Sequence, residues 1–279
     1  MTKPLVSIII RTCGRPQVLE RALLSIREQD YPNIETVIVE DGENISEAFI
    51  SENYADLNIC YRATGEKRGR CVVGNLGLEL ASGEYYNFLD DDDYFLPSHV
   101  STLVDKLEGT ECRAAYTISE EHQIRKNKDK NSTFKVKRKL IRYKQPFNRL
   151  LLCYMNYIPI QSIMFHRTLF ETCGGFDENL DVLEDWDLWL RYSFESDFEF
   201  EPVVTSVYHT PYMGKGKRKR EVDMHKASDM ILQKYTERQT SFDVRQVNEE
   251  MDYILNVFNK KGILFYMQKV RNFLLYRDI

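Results

Sequence analysis

The sequence predicts an α/β protein built on a mainly parallel sheet flanked by helices. Three observations carry this expectation. Short, continuous β-branched runs at 6–10 and 34–39 suit strands buried on both faces. Amphipathic helical stretches alternate with these runs, as a parallel sheet requires. Charged or polar residues stand where the strands end, at Arg11-Thr12, Glu40-Asp41 and Asp90 to Asp93. Ligands bind at the carboxyl ends of strands in such sheets.

The elements follow in order. Residues 11–15 break the first run, with Gly14 as pivot, and Pro16 opens a helix where a missing N–H costs little. Val18, Leu19, Ala22, Leu23 and Ile26 give that helix one apolar face. A turn at 30–33 leads into the second strand. Asn44 with Glu47 has the spacing of a capping box for the next helix, and 57–61 reads as a third strand. Beyond the basic, glycine-containing loop 65–70, a helix covers 72–80 and stops at Ser82-Gly83. Gly77 inside it costs about 1 kcal/mol against alanine, which suits close packing on the sheet. Tyr85, Tyr86, Phe88 and Leu89 then form a strand that runs into the four aspartates.

Pro97 opens a helix over 98–107, and strands are expected at 113–118, 159–165 and 203–209. Residues 171–178 end a helix on a double glycine, and the next helix carries Asp185 in its first turn. The strongly basic segment 125–144 reads as a mobile, solvated loop; the alternative is an arm for an anionic acceptor. We expect a domain boundary in the basic loop 214–220. It divides residues 1–215 from a helical C-terminal extension, 216–279, with helices at 221–238, 243–258 and 263–276. The last has a broad apolar face flanked by cations. Packing on the main domain or on a second copy of the chain is the preferred reading, and contact with an anionic membrane the other.

The 279 residues can bury one large core with a smaller appendage. The balance of 38 basic and 43 acidic residues excludes a protein whose whole surface grips nucleic acid. The six cysteines form no close pair of metal-ligand spacing and read as reduced, mostly buried thiols in a cytoplasmic protein. No signal peptide or membrane span is visible.

Four adjacent carboxylates at the end of a buried strand demand neutralisation or hydration. A solvated acidic turn is one reading. The other is a divalent-cation site, since magnesium or manganese prefers carboxylate oxygens and takes one or two of them together with substrate phosphates. The convergence of three strand ends on one crevice favours the second. The basic loop before 72–80 suits a phosphate at a helix N-terminus, but the Gly-Lys-Ser/Thr ending of a P-loop is absent and a solvated basic loop is the more common explanation. Glu184 and Asp185 either favour their helix N-terminus electrostatically or place a general base at the crevice mouth. His209 ends a strand; a lone histidine is more often structural than a ligand.

Together, residues 7–12, 39–42, 75–77, 88–93, 174–178 and 184–188 occur in an order that resembles the inverting GT-A glycosyltransferases of the large family-two type. The resemblance covers roughly 4–209. It implies a GT-A, Rossmann-like fold, a nucleotide-sugar donor, usually a UDP-sugar, a manganese or magnesium ion, and a glycan or lipid-linked glycan acceptor. Carried over by position, it implies that Thr12 and Asp41 contact the nucleobase and ribose, with Asp90 on the ribose. Asp91 and Asn75 are expected among the donor-binding residues, together with Arg68 and Arg70, either of which could replace the charge of the arginine missing at Gly74. Asp92 binds the metal, His209 is a further metal or diphosphate ligand, and Asp185 is the base. It also implies a place in polysaccharide, surface-glycan or glycolipid assembly, in the cytoplasm or at the inner face of the membrane. Three positions depart from the family pattern: Glu43, Gly74 where an arginine is common, and the surroundings of His209. Two rival readings are a nucleotidyltransferase and a non-catalytic module docking a membrane or nucleic acid.

Overall fold

β1 (Val6–Thr12) is buried at every position, as its unbroken apolar run requires. The computed structural model describes residues 3–126, 134–212, 217–238 and 244–259. After β1 come α1 (Pro16–Arg27), β2 (Ile34–Glu40), α2 (Glu47–Asn53), β3 (Ile59–Ala63), α3 (Arg70–Leu80) and β4 (Tyr85–Asp90). β5 (Tyr94–Phe95), α4 (His99–Glu108), β6 (Ala114–Lys126), β7 (Phe134–Leu140) and α5 (Arg149–Tyr154) follow. The chain continues through β8 (Ile163–His166), α6 (Arg167–Cys173), α7 (Glu184–Ser193), β9 (Phe198–Pro211), α8 (Lys217–Lys234) and α9 (Val244–Asn259).

The strands form one sheet in the order β3-β2-β1-β4-β8-β6-β9-β5, with β7 paired to β6. β3, β2, β1 and β4 are parallel. β8 runs antiparallel to both its neighbours, and β6 and β9 are parallel again. The chain adds β2 and β3 on one side of β1 and then crosses to add β4 on the other. A crevice opens beyond the carboxyl ends of the strands at such a switch point. Successive side chains alternate across the sheet. Ile8, Ile10 and Leu89 pack with α1 and α4, while Ile9, Val37, Val39 and Phe88 pack with α3, α5, α6 and α7. Ala227 and Ile231 of α8 and Ile254 of α9 belong to this second core.

β2 is pinned by a buried carboxylate near each end. Glu35 accepts from the Ser7 and Ser82 hydroxyls and from the backbone N–H groups of Ser82 and Gly83. Glu40 accepts from Gly14 N at 2.8 Å, Ser46 N at 2.9 Å, the Ser46 hydroxyl at 2.9 Å and the Tyr61 hydroxyl. Burial alone would raise the Glu40 carboxyl. The Tyr61 and Ser46 donors outweigh it and hold the group below its ordinary value.

Several expectations need correction. The Asn44–Glu47 capping box does not form: Ser46 is the N-cap, its hydroxyl is claimed by Glu40, and Asn44 donates to Glu47 outside the cap. The third strand starts two residues late, because Leu57 closes a turn onto Tyr54. Residues 160–162 form a 3-10 turn before β8. Within the basic segment, residues 134–140 are a strand on β6 rather than a loop, since their backbone pairs antiparallel with an open edge of β6. Residues 127–133, and the helix expected at 263–276, lie outside the described residues. Only Cys71 among the six free cysteines is buried; Cys13 and Cys60 are exposed. No helix among the described residues is long and apolar enough to cross a membrane.

Gly77 justifies its place in α3 by close approach. A Cβ there would come within 2.4 Å of Ile9 Cγ2, a β-branched side chain locked in the core. Gly77→Ala should therefore destabilise the protein by about 1–3 kcal/mol through overpacking, despite alanine's better helix propensity. A reduced urea midpoint at unchanged slope is the expected result.

Candidate active site

Arg11 and Asp90 are register neighbours at the carboxyl ends of β1 and β4. The Arg11 guanidinium donates to Asp90 Oδ1 from Nε at 3.0 Å and from Nη2 at 2.7 Å. Its Nη1 donates to Glu184 Oε1 at 3.1 Å, across 173 residues of sequence. Arg11 is only 7% exposed, and the rings of Phe88 and Phe176 stand 5.8 and 5.5 Å from its Cζ. Burial would pull the guanidinium pKa down, but Asp90 and Glu184 overcome that and hold it above the ordinary value. Arg70, the first residue of α3, adds a second contact to Glu184 Oε1 at 3.4 Å. One buried cation thus ties the acidic strand end to the first residue of α7.

Asp185 is the next residue, in the first turn of α7. Its Oδ1 accepts from Trp186 N and its Oδ2 from Asn156 Nδ2, both at 2.9 Å. Unlike the buried Glu184, it is partly exposed. Desolvation by its surroundings, with the Glu184 charge beside it, pushes its pKa up to about 7, against the pull of Asn156, Trp186 N–H and Arg11. Trp186 Nε1 donates to Leu152 O at 2.6 Å, which locks the turn onto α5. Leu183, just before the helix, adopts a left-handed backbone at φ 61°.

The four aspartates diverge. Asp90 goes to Arg11. Asp91, 1% exposed, accepts from Thr12 Oγ1 at 2.7 Å and from Arg15. Burial pushes Asp91 up to about 6, with Arg15 and Thr12 opposing. Asp93 is buried and accepts from His209 N at 2.8 Å; burial, with the Asp92 and Asp90 charges, raises it well above the usual carboxylate range. Asp92 stays half-exposed. Arg11 and Arg15 therefore supply much of the neutralisation for which the sequence suggested a metal. Arg11 was expected at the crevice as a strand-end residue but was given no role, and Arg15 was not expected in the site. Their signal is a strand ending in arginine beside a parallel strand ending in aspartate.

His209 Nδ1 lies 2.6 Å from the Asp92 carbonyl oxygen, which can only accept, so Nδ1 carries the proton and Nε2 the lone pair. Burial, followed by the nearby Arg21 charge, pushes the ring down to about 4, so it is neutral at pH 7. Its side chain is 2% exposed, with the Phe134 ring 4.8 Å away. Among the described residues, no group of three or more His, Cys, Asp or Glu side chains is gathered to hold a metal ion. A magnesium-type ion needs no such cage when one or two carboxylates and substrate phosphates complete it. Half-exposed Asp92, with Asp90 two residues before it, fits that donor set.

The remaining expected residues line the neighbouring loop. Asp41 accepts from Arg68 N at 2.6 Å and Gly69 N at 3.3 Å, which orders the loop before α3. Arg68 and Arg70 are exposed at that helix start. Asn75 is spent elsewhere: it receives Phe176 N at 2.7 Å and donates to Phe176 O and Glu178, pinning the loop whose Phe176 backs Arg11. Gly74 also departs from the family pattern for a steric reason, since a Cβ there would sit 2.6 Å from the Phe176 ring. Removing Arg11 should be costly. Arg11→Met leaves buried Glu184 with the longer contact to exposed Arg70 and takes away Asp90's guanidinium, and should lower stability by about 3–5 kcal/mol in chemical denaturation.

Known proteins resemble the chain in sequence and in fold. The uncharacterized glycosyltransferase YwdF of Bacillus subtilis is 29% identical over 205 residues, 73% of each chain. The S. aureus TarS fragment 1–349, also solved with UDP-GlcNAc, superposes with a TM-score of 0.64 at 15% identity, over 99% of this chain and 76% of that one. The mannosyltransferase PcManGT of Pyrobaculum calidifontis, solved with GDP-Man and Mn2+, gives 0.63 at 17% identity, over 87% and 67%. Its sheet is the GT-A type of these neighbours, and residues 7–174 match Glycosyl transferase family 2, so the chain belongs to that family and is a glycosyltransferase.

Proposed function

We propose that the protein moves a hexose from a nucleoside-diphosphate sugar, most simply a UDP-sugar, to a hydroxyl of a glycan or lipid-linked glycan, with inversion and with a divalent cation. The observation that carries this reading is the Arg11 bridge. It brings the acidic end of β4 and the first turn of α7, with Asp185, to one place at the switch point of the sheet. Family membership removes the nucleotidyl-transfer and purely binding readings. The complexes of structural neighbours with UDP-GlcNAc and with GDP-Man and Mn2+ support the donor class and the cation.

In this reading Thr12, Asp41, Asp90 and Asp91 shape the wall against which the nucleoside lies. Thr12 and Asp91 act as a buried strut, while Asp41 and Asp90 present the exposed oxygens. Arg68 and Arg70 face the diphosphate from the start of α3, where helix N–H groups also favour anions. Asp92 would hold the cation, with Nε2 of His209 as a further ligand. When bound, the cation would stabilise the charge on the departing diphosphate.

Asp185 takes the proton from the acceptor hydroxyl as that oxygen attacks the anomeric carbon. The bond to the nucleotide breaks on the opposite face, and a single displacement inverts the centre. Asn156 and Trp186 N–H fix the carboxylate without consuming all its lone pairs. A positioned base is worth about two to four orders of magnitude in rate.

Asp185→Asn should keep nucleotide-sugar affinity in calorimetry and lose transfer by that factor; near-normal transfer would remove the base assignment. The wild-type rate at limiting substrate should fall about tenfold per unit as pH drops below about 7, since the base must be unprotonated. A thermal-shift panel of UDP- and GDP-sugars with and without manganese identifies the donor. Asp92→Ala should abolish the manganese-dependent part of that shift.

A further inference from the structure

Asp187 follows the candidate base by two residues on α7 and is 0% exposed. A carboxylate so placed must find donors inside the protein. Arg191 Nε, one turn further along the same helix, reaches Oδ2 at 3.0 Å. The other two donors come from the C-terminal end of α8: Lys234 Nζ at 2.9 Å and the Tyr235 hydroxyl at 2.7 Å, both to Oδ1.

Lys234 also grips Asp177 Oδ2 at 2.8 Å. Asp177 follows Phe176, whose ring backs the Arg11 guanidinium and whose backbone is held by Asn75. A single ammonium group thus joins the helix that carries Asp185 to the loop that supports Arg11. The contact is reinforced by Ile231 and Ala227 in the core and by the Tyr235 ring, 5.8 Å from Phe194. α9 braces the same region from behind. Glu250 accepts Leu150 N at 3.0 Å, and its carbonyl receives Asn148 Nδ2 at 3.2 Å. These contacts hold α5, beyond whose end Asn156 reaches Asp185.

We propose that Lys234 and Tyr235 are positioning residues for the transfer reaction: by clamping Asp187 and Asp177 they set where the first turn of α7 stands relative to Arg11, and so aim the Asp185 carboxylate. None of these groups touches the reacting atoms. The inference rests on Asp185 being the base. It assigns the helices after residue 216 a part in the chemistry of residues that precede them.

The test uses the full chain and the slow release of nucleoside diphosphate from the nucleotide sugar that gives the largest thermal shift, with water as acceptor. Lys234→Met and Tyr235→Phe should each lower the turnover of that hydrolysis by roughly ten- to a hundredfold. Both should move the acidic limb of its pH profile and leave nucleotide affinity within about twofold. Lys234→Arg, which keeps a donor for Asp187, should recover most of the turnover. If Lys234→Met and Tyr235→Phe lower only the unfolding temperature, with turnover per folded molecule and pH profile unchanged, the clamp is structural and the proposal falls. Asp185→Asn runs in parallel. If that variant hydrolyses normally, the base assignment falls and takes this proposal with it. If it is dead while the α8 variants match wild type, only the positioning role falls.

Discussion

A guanidinium with almost no access to water, shared between Asp90 and Glu184, is the constraint on which the site depends. Arg11 is the penultimate residue of the central strand of the parallel half, and its two acidic partners come from the neighbouring strand β4 and from the first residue of α7. Burying such a charge is expensive unless its donors are used with good geometry. Here three of its nitrogens are bonded and two aromatic rings cover its faces. The stabilisation is therefore conditional: β4, the Phe176 loop and α7 must all be in place before Arg11 is satisfied. Specificity of arrangement, more than net stability, is what this kind of bridge contributes.

The parallel half of the sheet was readable because burial on both faces leaves an unmistakable trace. Val6 to Ile10 and Ile34 to Val39 can be little else than central strands, and the residues that end them had to lie at the crevice. The C-terminal half was harder. β6 and β9 are 13 and 14 residues long and bend through register shifts, so their alternation is broken and the sequence showed only parts of each. β7 looked like a loop because its exposed lysines have the composition of one, and only pairing with β6 makes it a strand. The Asn44 cap failed for a reason no local pattern encodes: Glu40 takes the N–H groups of Ile45 and Ser46, and the helix is capped two residues later, at Ser46.

The same division applies to the site. The acidic strand end and the Glu184-Asp185 pair stood out as residue types. Their neutralisation did not, because it comes from arginines whose partners lie about 80 to 170 residues away. Asn75 shows the converse. Its motif marked it for the donor, yet every polar atom of its side chain is engaged by the Phe176–Glu178 segment. A motif marks a position under strong physical demand without saying whether a ligand or the fold makes the demand. The two pinning glutamates of β2 belong to the second kind: they fix the turns at both ends of the strand and leave its carboxyl end free to face the crevice.

The left-handed backbone of Leu183 carries a consequence for motion. A branched side chain in that conformation costs about 1–2 kcal/mol, and a helix cannot propagate backwards through it. The start of α7 is thus fixed in register but perched on a strained residue, while the clamp on Asp187 begins only in the helix's fourth position. That strain is held in place by the Arg11–Glu184 and Trp186–Leu152 bonds, so loss of either should release the opening turn first, while the Asp187 clamp keeps the remainder of the helix and the aromatic layer behind it in place.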